Sequence, residues 1–248
     1  MTITVSGRPI PPAPWSEPRR YTRAGVPPLN SGDHLTRAEF ERRYLAHPEI
    51  KNAELVEGVV HVSSPARFNQ HGAPHASVVG WLFNYAAATP GALVCNNATV
   101  RLDYENEPQP DAMLRLEPAH GGTSRVSEDD YVEGPPDLVV EVAASSAAYD
   151  LHEKLRSYQR NGVREYLVLQ VYEQQVRWFV LREGAYVPLE PDEAGVLRSE
   201  IFPGLWLQSG AIWTGDLAQL LSVLQEGLAS PQHAEFAKRL QAQRMQGS

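Results

Sequence analysis

Two acids and one lysine stand out against the apolar pattern of this chain, and together they could bind a metal ion and handle charge on a phosphate. Glu141 lies inside Asp137-Leu-Val-Val-Glu-Val-Ala143, an almost continuous apolar run. Such a run marks a central strand covered on both faces. A carboxylate there is costly to bury unless a cation or a donor compensates it. The two-residue period of a strand puts Asp137, Val139, Glu141 and Ala143 on one face. Pro110-Asp-Ala-Met-Leu-Arg-Leu116 reads as a second strand, with Asp111 pointing away from Ala112, Leu114 and Leu116. If the two strands are neighbours, the carboxylates of Asp111 and Glu141 can converge. Such a pair suits Mg²⁺, which takes one or two carboxylates and keeps several waters, with Mn²⁺ as a substitute. Pairing of Glu141 with an arginine, or within a structural network, accounts for the same pattern, and both readings stay open.

Lys154 falls in the helix after the Glu141 strand, three residues beyond Leu151 and inside the stripe of Leu151, Leu155 and Tyr158. A helix that follows a strand packs back on the sheet, so the ammonium can reach the sheet's polar end. There it could stabilise developing charge or take part in proton transfer. A lysine snorkelling at the edge of the stripe is the plainer alternative. His71 and His75 invite a zinc reading, but Gly72 and Pro74 between them argue against a shared helical face. A helix-start or site-wall role fits His75 better. No serine-hydrolase elbow or phosphate-cradling glycine loop is present.

The elements that must position these residues follow from the pattern. Residues 1–30 contain seven prolines and no apolar period, and read as an extended N-terminal arm. Thr36 and Glu39 form a capping box for a helix to about His47. Glu54–Val62 reads as a strand or hairpin arm, with Gly58 as a bulge. A helix from Pro74 ends at Pro90-Gly91, and a single strand is expected over Ala92–Asp103. The strands of Asp111 and Glu141 follow, then the helix Leu151–Arg160 stopped by Asn161-Gly162. Strands over Val163–Val171 and Gln175–Leu181 come next, with a weak one near Tyr186. The last elements are a helix over about Asp216–Leu228 and a polar helical tail. The expected architecture is α/β, with a central mixed β-sheet flanked by helices. The expected domain spans residues 31–228, and residues 229–248 form the tail.

The chain has 248 residues and a formal charge of −8. Residues 101–150 hold 12 acids against three arginines, whereas residues 1–47 carry seven arginines and four acids. Glu105, Glu107 and Glu128–Asp130 sit among turn formers and read as solvated loop. Indiscriminate coating of nucleic acid by bulk charge is therefore disfavoured. A local groove remains open, with Arg156, Arg160 and the early arginines as its candidate cations. No apolar run reaches the ~20 residues of a membrane span, and no secretory signal is visible at the N-terminus. The lone Cys95 suits a cytoplasmic location.

At these residues the chain resembles the Uma2 (Uma-two) family of proposed restriction endonucleases, within the PD-(D/E)XK nuclease superfamily. The matching pieces are Glu54-Leu-Val-Glu-Gly58, Pro110-Asp111, Pro136-Asp-Leu-Val-Val-Glu-Val142, Lys154-Leu-Arg-Ser-Tyr158, Gly162-Val-Arg-Glu-Tyr166 and Phe202-Pro-Gly-Leu-Trp206. The resemblance implies a restriction-endonuclease-like core, with Asp111 and Glu141 as metal-binding acids and Lys154 as the catalytic lysine. Glu54 either assists that site or supports the start of its strand. The superfamily places its lysine two residues after the strand glutamate, where this chain has Ala143. The implied activity is Mg²⁺-dependent endonucleolytic hydrolysis of DNA, in a homodimer if both strands are cut. The alternative is an inactive nuclease fold that binds nucleic acid or a protein partner.

Overall fold

The structure is a computed structural model that describes residues 25–246. Most of the proline-rich arm expected over residues 1–30 thus lies outside the described residues. The first helix among the described residues is α1 (Arg37–Ala46), whose N-cap Thr36 accepts from the Glu39 backbone N–H. A hairpin of β1 (Ala53–Val56) and β2 (Val59–Val62) follows. Its two turn residues, Glu57 and Gly58, have φ of 51° and 75°. Gly58 is therefore a turn residue rather than a bulge, since a two-residue hairpin loop of this kind needs positive φ at both positions. A π-helical turn (Phe68–Gly72) runs into α2 (Ala73–Ala87).

The strand expected over Ala92–Asp103 is two strands. β3 (Ala92–Asn96) ends where Asn97 takes φ of 51°, a left-handed conformation that asparagine tolerates. The chain then leaves the main sheet as β4 (Val100–Arg101). β5 (Ala112–Leu116), β6 (Arg125–Val126), β7 (Val132–Glu133) and β8 (Leu138–Ala143) follow. β4, β7 and β6 form a small separate sheet. After β8 come α3 (Ala147–Tyr149), a second π turn (Asp150–Lys154) and α4 (Leu155–Asn161). Gly162 closes α4 with φ of 82°. The chain continues as β9 (Glu165–Gln170), β10 (Gln175–Arg182), β11 (Ala185–Pro188), β12 (Val196–Arg198) and β13 (Trp206–Gln208). It ends with α5 (Ser209–Thr214), α6 (Leu217–Leu228) and α7 (Pro231–Gln246).

The central sheet has the order β11-β10-β9-β8-β5-β3. Only β8 and β9 pair in parallel within it, joined through α3 and α4 as parallel neighbours require. Both faces of β8 are covered, which accounts for its continuous apolar sequence. Leu138, Val140 and Val142 pack in the larger core, with Trp81 and Tyr85 of α2, Leu224 of α6, and Phe236 and Leu240 of α7. Val139 and Ala143 face the other way, onto Tyr158, Tyr166 and Val168. A smaller core joins Phe40 of α1 to Ala53, Leu55 and Val60 of the hairpin. The hairpin thus stands beside the polar end of β5 and β8. Among the described residues no helix is long and apolar enough to cross a membrane.

Candidate active site

β5 and β8 are antiparallel neighbours, with Ala112 opposite Val140 and Met113 opposite Val139. One step further, the register sets Asp111 opposite Glu141. The two are tied together: the Val142 N–H donates to Asp111 Oδ2 at 2.7 Å, and the Asp111 N–H donates to Glu141 Oε2 at 3.4 Å. Glu141 Oε1 accepts from Lys154 Nζ at 3.0 Å and from the Tyr158 hydroxyl at 2.9 Å. Lys154 Nζ also lies 3.0 Å from Glu54 Oε2 and 3.8 Å from Asp150 Oδ1. Glu54 is fixed in turn by the Gln109 N–H and the Tyr149 hydroxyl. All four residues named from sequence therefore meet at one place, drawn from the hairpin, the two strands and the crossover helix.

Lys154 does not snorkel. It is 5% exposed, and Glu141 and Asp150 are 3% exposed. Burial alone would lower the Lys154 ammonium, but Glu141, Glu54 and Asp150 outweigh it and hold the group well above its usual value. Burial pushes the Glu141 carboxyl well above the carboxylate range, with Lys154 opposing and Asp111 reinforcing the shift. Asp150 is pushed up to about 6, again mainly by burial. Three acids around one ammonium, with Asp111 beside Glu141, leave a surplus of negative charge at a largely buried place. Removing such charge from water is expensive without a further cation or protons.

That surplus fits a divalent ion. Asp111 is the most open of the acids, and its Oδ1 takes no hydrogen bond from the backbone groups that hold Oδ2. Glu141 Oε2 has only the long contact from Asp111. These oxygens would hold an ion such as Mg²⁺, which completes its shell with water. Among the described residues no three His, Cys, Asp or Glu side chains form a ready-made metal cage.

Residues 37–210 match the Uma2 family, described as a putative restriction endonuclease. The chain belongs to the Uma2 family. This Uma2 chain also shares its fold with a solved protein from Anabaena variabilis ATCC 29413, titled a putative nuclease belonging to DUF820. The TM-score is 0.53 at 13% identity, covering 70% of this chain and 96% of the other. No curated protein matches the chain.

The structure sets further residues around this Uma2 site. His71 Nε2 stands 3.4 Å from Asp111 Oδ1, and His75 Nε2 donates to the Asp111 carbonyl at 2.8 Å. Their rings lie 5.3 Å apart, so the expectation that Gly72 and Pro74 separate them is corrected. The π turn carries the helix through both residues, with Pro74 directly after it at the start of α2. Asp150, Lys154 and Tyr158 recur every four residues, which was a legible signal for one helical face. His61 is opposite Glu54 in the hairpin and packs on Tyr149 at 4.1 Å. Its imidazole pKa is lowered, chiefly by burial.

The arginines expected to line a basic groove are paired with acids. Arg156 pairs with Glu57, and Arg160 lies near Glu57 and Asp103. Arg37, Arg42 and Arg43 face acids of α1 and Asp33. Arg67 and Phe68 are instead exposed at the start of the turn that carries His71.

Proposed function

We propose that this chain is a metal-dependent endonuclease that hydrolyses DNA phosphodiester bonds. The observation that supports it best is the gathering of Glu54, Glu141 and Asp150 around the buried Lys154, with the more open Asp111 beside Glu141. Asp111 and Glu141 would hold Mg²⁺, with Mn²⁺ as a substitute. When bound, the ion supplies Lewis-acid polarisation of a phosphate oxygen. The chain's own groups do the rest. Lys154 and Tyr158 fix Glu141 Oε1 and leave Oε2 turned toward Asp111. Glu54 shares the ammonium and restrains it from the hairpin side. Lys154 thus acts by orienting carboxylates and supplying positive charge behind them. His71 stands beside Asp111, where a phosphate would arrive.

Supercoiled plasmid incubated with Mg²⁺ or Mn²⁺ tests this reading. Wild type should nick or linearise it, while Asp111→Ala and Glu141→Ala should fall to background. Lys154→Met should lose about 10–100-fold, as expected for a group that orients metal ligands. Equal cleavage by all four proteins would sink the assignment. The close engagement of Lys154 by two carboxylates favours one second reading, a nuclease fold that binds nucleic acid without cutting. That reading expects binding by wild type, no cleavage with either metal, and no Mg²⁺ binding that depends on Asp111.

A further inference from the structure

The connection from β2 to α2 runs uncovered, with every residue from Val62 to Asn69 exposed. Both of its ends are nevertheless fixed at the acid cluster. His61, just before it, faces Glu54 across the hairpin and lies on Tyr149, whose hydroxyl donates to Glu54. His71, just after it, stands 3.4 Å from Asp111 Oδ1. The segment thus leaves the cluster on the hairpin side and returns to it on the α2 side. Backbone bonds hold the returning arm. The His71 and Gly72 N–H groups donate to the Arg67 carbonyl at 2.9 and 3.1 Å, and the Ala73 N–H donates to that of Phe68.

Charge sets this part of the chain apart. No acid occurs from Gly58 to Leu102, in a chain that has 30 acids and a net charge of −8. The exposed arginines of α4, Arg156 and Arg160, are held by Glu57. Arg67 meets no carboxylate among the described residues, and its guanidinium reaches Gln70 Oε1 at 3.5 Å. A cation kept apart from acids retains its attraction for a polyanion. Beside it the Phe68 ring is 78% exposed. A single exposed apolar side chain is ordinary in itself. Next to an unpaired arginine, on a segment anchored at both ends to the acid cluster, it completes a pair suited to a nucleic-acid strand: a π face for a base and a charge for a phosphate. Gripping a duplex by its backbone takes several free cations. One cation with one ring suits an unpaired strand, whose bases have faces to stack on.

We propose that residues 62–69 form a loop that binds single-stranded DNA, with Phe68 stacked on a base and Arg67 on a neighbouring phosphate. The inference rests on the nuclease reading and narrows its substrate to unpaired DNA. Arg67 precedes His71 by one helical turn, about 5 Å along the axis, so neighbouring nucleotides of one strand could meet the loop and the Asp111 side of the cluster. Negative supercoiling helps to open a duplex, so a supercoiled plasmid still offers such a segment.

The experiment measures anisotropy of three labelled DNAs of equal length: oligothymidine, abasic deoxyribose and a duplex, with chelator present so that no metal-dependent cleavage occurs. Oligothymidine should bind about tenfold tighter than the abasic strand, the gain expected of one stacked base, and tighter than the duplex. Phe68→Ala should erase the gap between the base-bearing and abasic strands, and Phe68→Trp should keep it. Arg67→Ala should weaken both strands alike and flatten the salt dependence by about 0.7 in log K per log salt, the share of one phosphate on a single strand. Phe83→Ala, which removes another exposed ring on α2, should match wild type. All these positions are exposed, so the fold is not at stake. Equal binding of the abasic and base-bearing strands overturns the proposal, as does a duplex bound as tightly as the single strand. A base preference that survives Phe68→Ala, an equal loss in Phe83→Ala, a salt slope that Arg67→Ala leaves unchanged, or no binding of any DNA also overturns it. A ring that docks a second copy instead predicts a dimer that Phe68→Ala dissociates in sedimentation, and that result overturns it too. A base preference without plasmid cleavage sinks only the nuclease reading; cleavage without a base preference sinks only the loop.

Discussion

Glu107 and Glu141 are both buried acids, but their surroundings give them different fates. Glu141 faces a lysine and a tyrosine hydroxyl. Glu107 faces another acid, with Arg37 no closer than 3.9 Å. An acid whose folded pKa is raised keeps its proton while the unfolded chain releases it. Its burial therefore costs nothing below the unfolded value near 4.5 and costs progressively more as pH rises toward 9. Glutamine copies the neutral carboxyl. Glu107→Gln should be near neutral in stability at pH 4 and stabilising at pH 8 by on the order of a few kcal/mol. Urea unfolding of both proteins across pH 4–9 measures this, and parallel curves would refute the buried neutral acid. Glu141 and Lys154 were legible in the sequence because an ionisable residue within an apolar stripe is anomalous in itself. Glu107 was not, because Asn106, Pro108 and Pro110 look like loop. What buries it is α1 and β1, more than 50 residues earlier in the chain.

At the scale of elements, most helices and strands could be read from period and punctuation, and the errors share a cause. Asn97 and Glu57-Gly58 redirect the chain through positive φ, which changes direction without disturbing the apolar pattern around it. The π turns before α2 and α4 are invisible for the same reason, yet they carry His71, Asp150 and Lys154 to the site. Close packing of glycines is another such feature. Gly227 in α6 lies against the Phe202–Trp206 turn, and a Cβ there would come within 2.2 Å of the Gly204 carbonyl oxygen and 2.9 Å of Trp206 Cγ. Alanine would gain about 1 kcal/mol of helix propensity at this position. The clash is with backbone, which cannot rotate away, and overpacking of this kind costs about 1–3 kcal/mol or more. Packing should win, so Gly227→Ala should lower the melting temperature, although α6 alone would become a better helix. A rise in melting temperature would show that α6 can slide away from the turn.

Across the whole molecule, the strongest dependence is between the central sheet and its most distant segment in sequence. Composition suggests a polar tail after Pro231, because α7 is rich in glutamine and charged residues. Its few apolar positions are nevertheless buried: Phe236 is 4% and Leu240 1% exposed, both in the core that holds β8. Phe236 meets Phe202 edge-on at 6.4 Å. His233 bridges Thr89 at the end of α2 to the Leu228 carbonyl at the end of α6. So α7 fastens α2 and α6 over one face of the sheet, while the site is built on the other face and held by α4. Burying two such apolar side chains contributes about 3–6 kcal/mol, an upper range since the unfolded chain already hides some of their surface. Ending the chain after Ser230 should therefore lower global stability by several kcal/mol, comparable to the margin of many domains. The same truncation should lower any metal binding that depends on Asp111 only in proportion to the unfolded fraction, because α4, β5 and β8 supply the site. Denaturant unfolding together with a metal titration at low denaturant separates the two effects. Unchanged stability would make α7 a detached tail. Metal binding lost while the fold is intact would instead show that the two faces of the sheet are coupled.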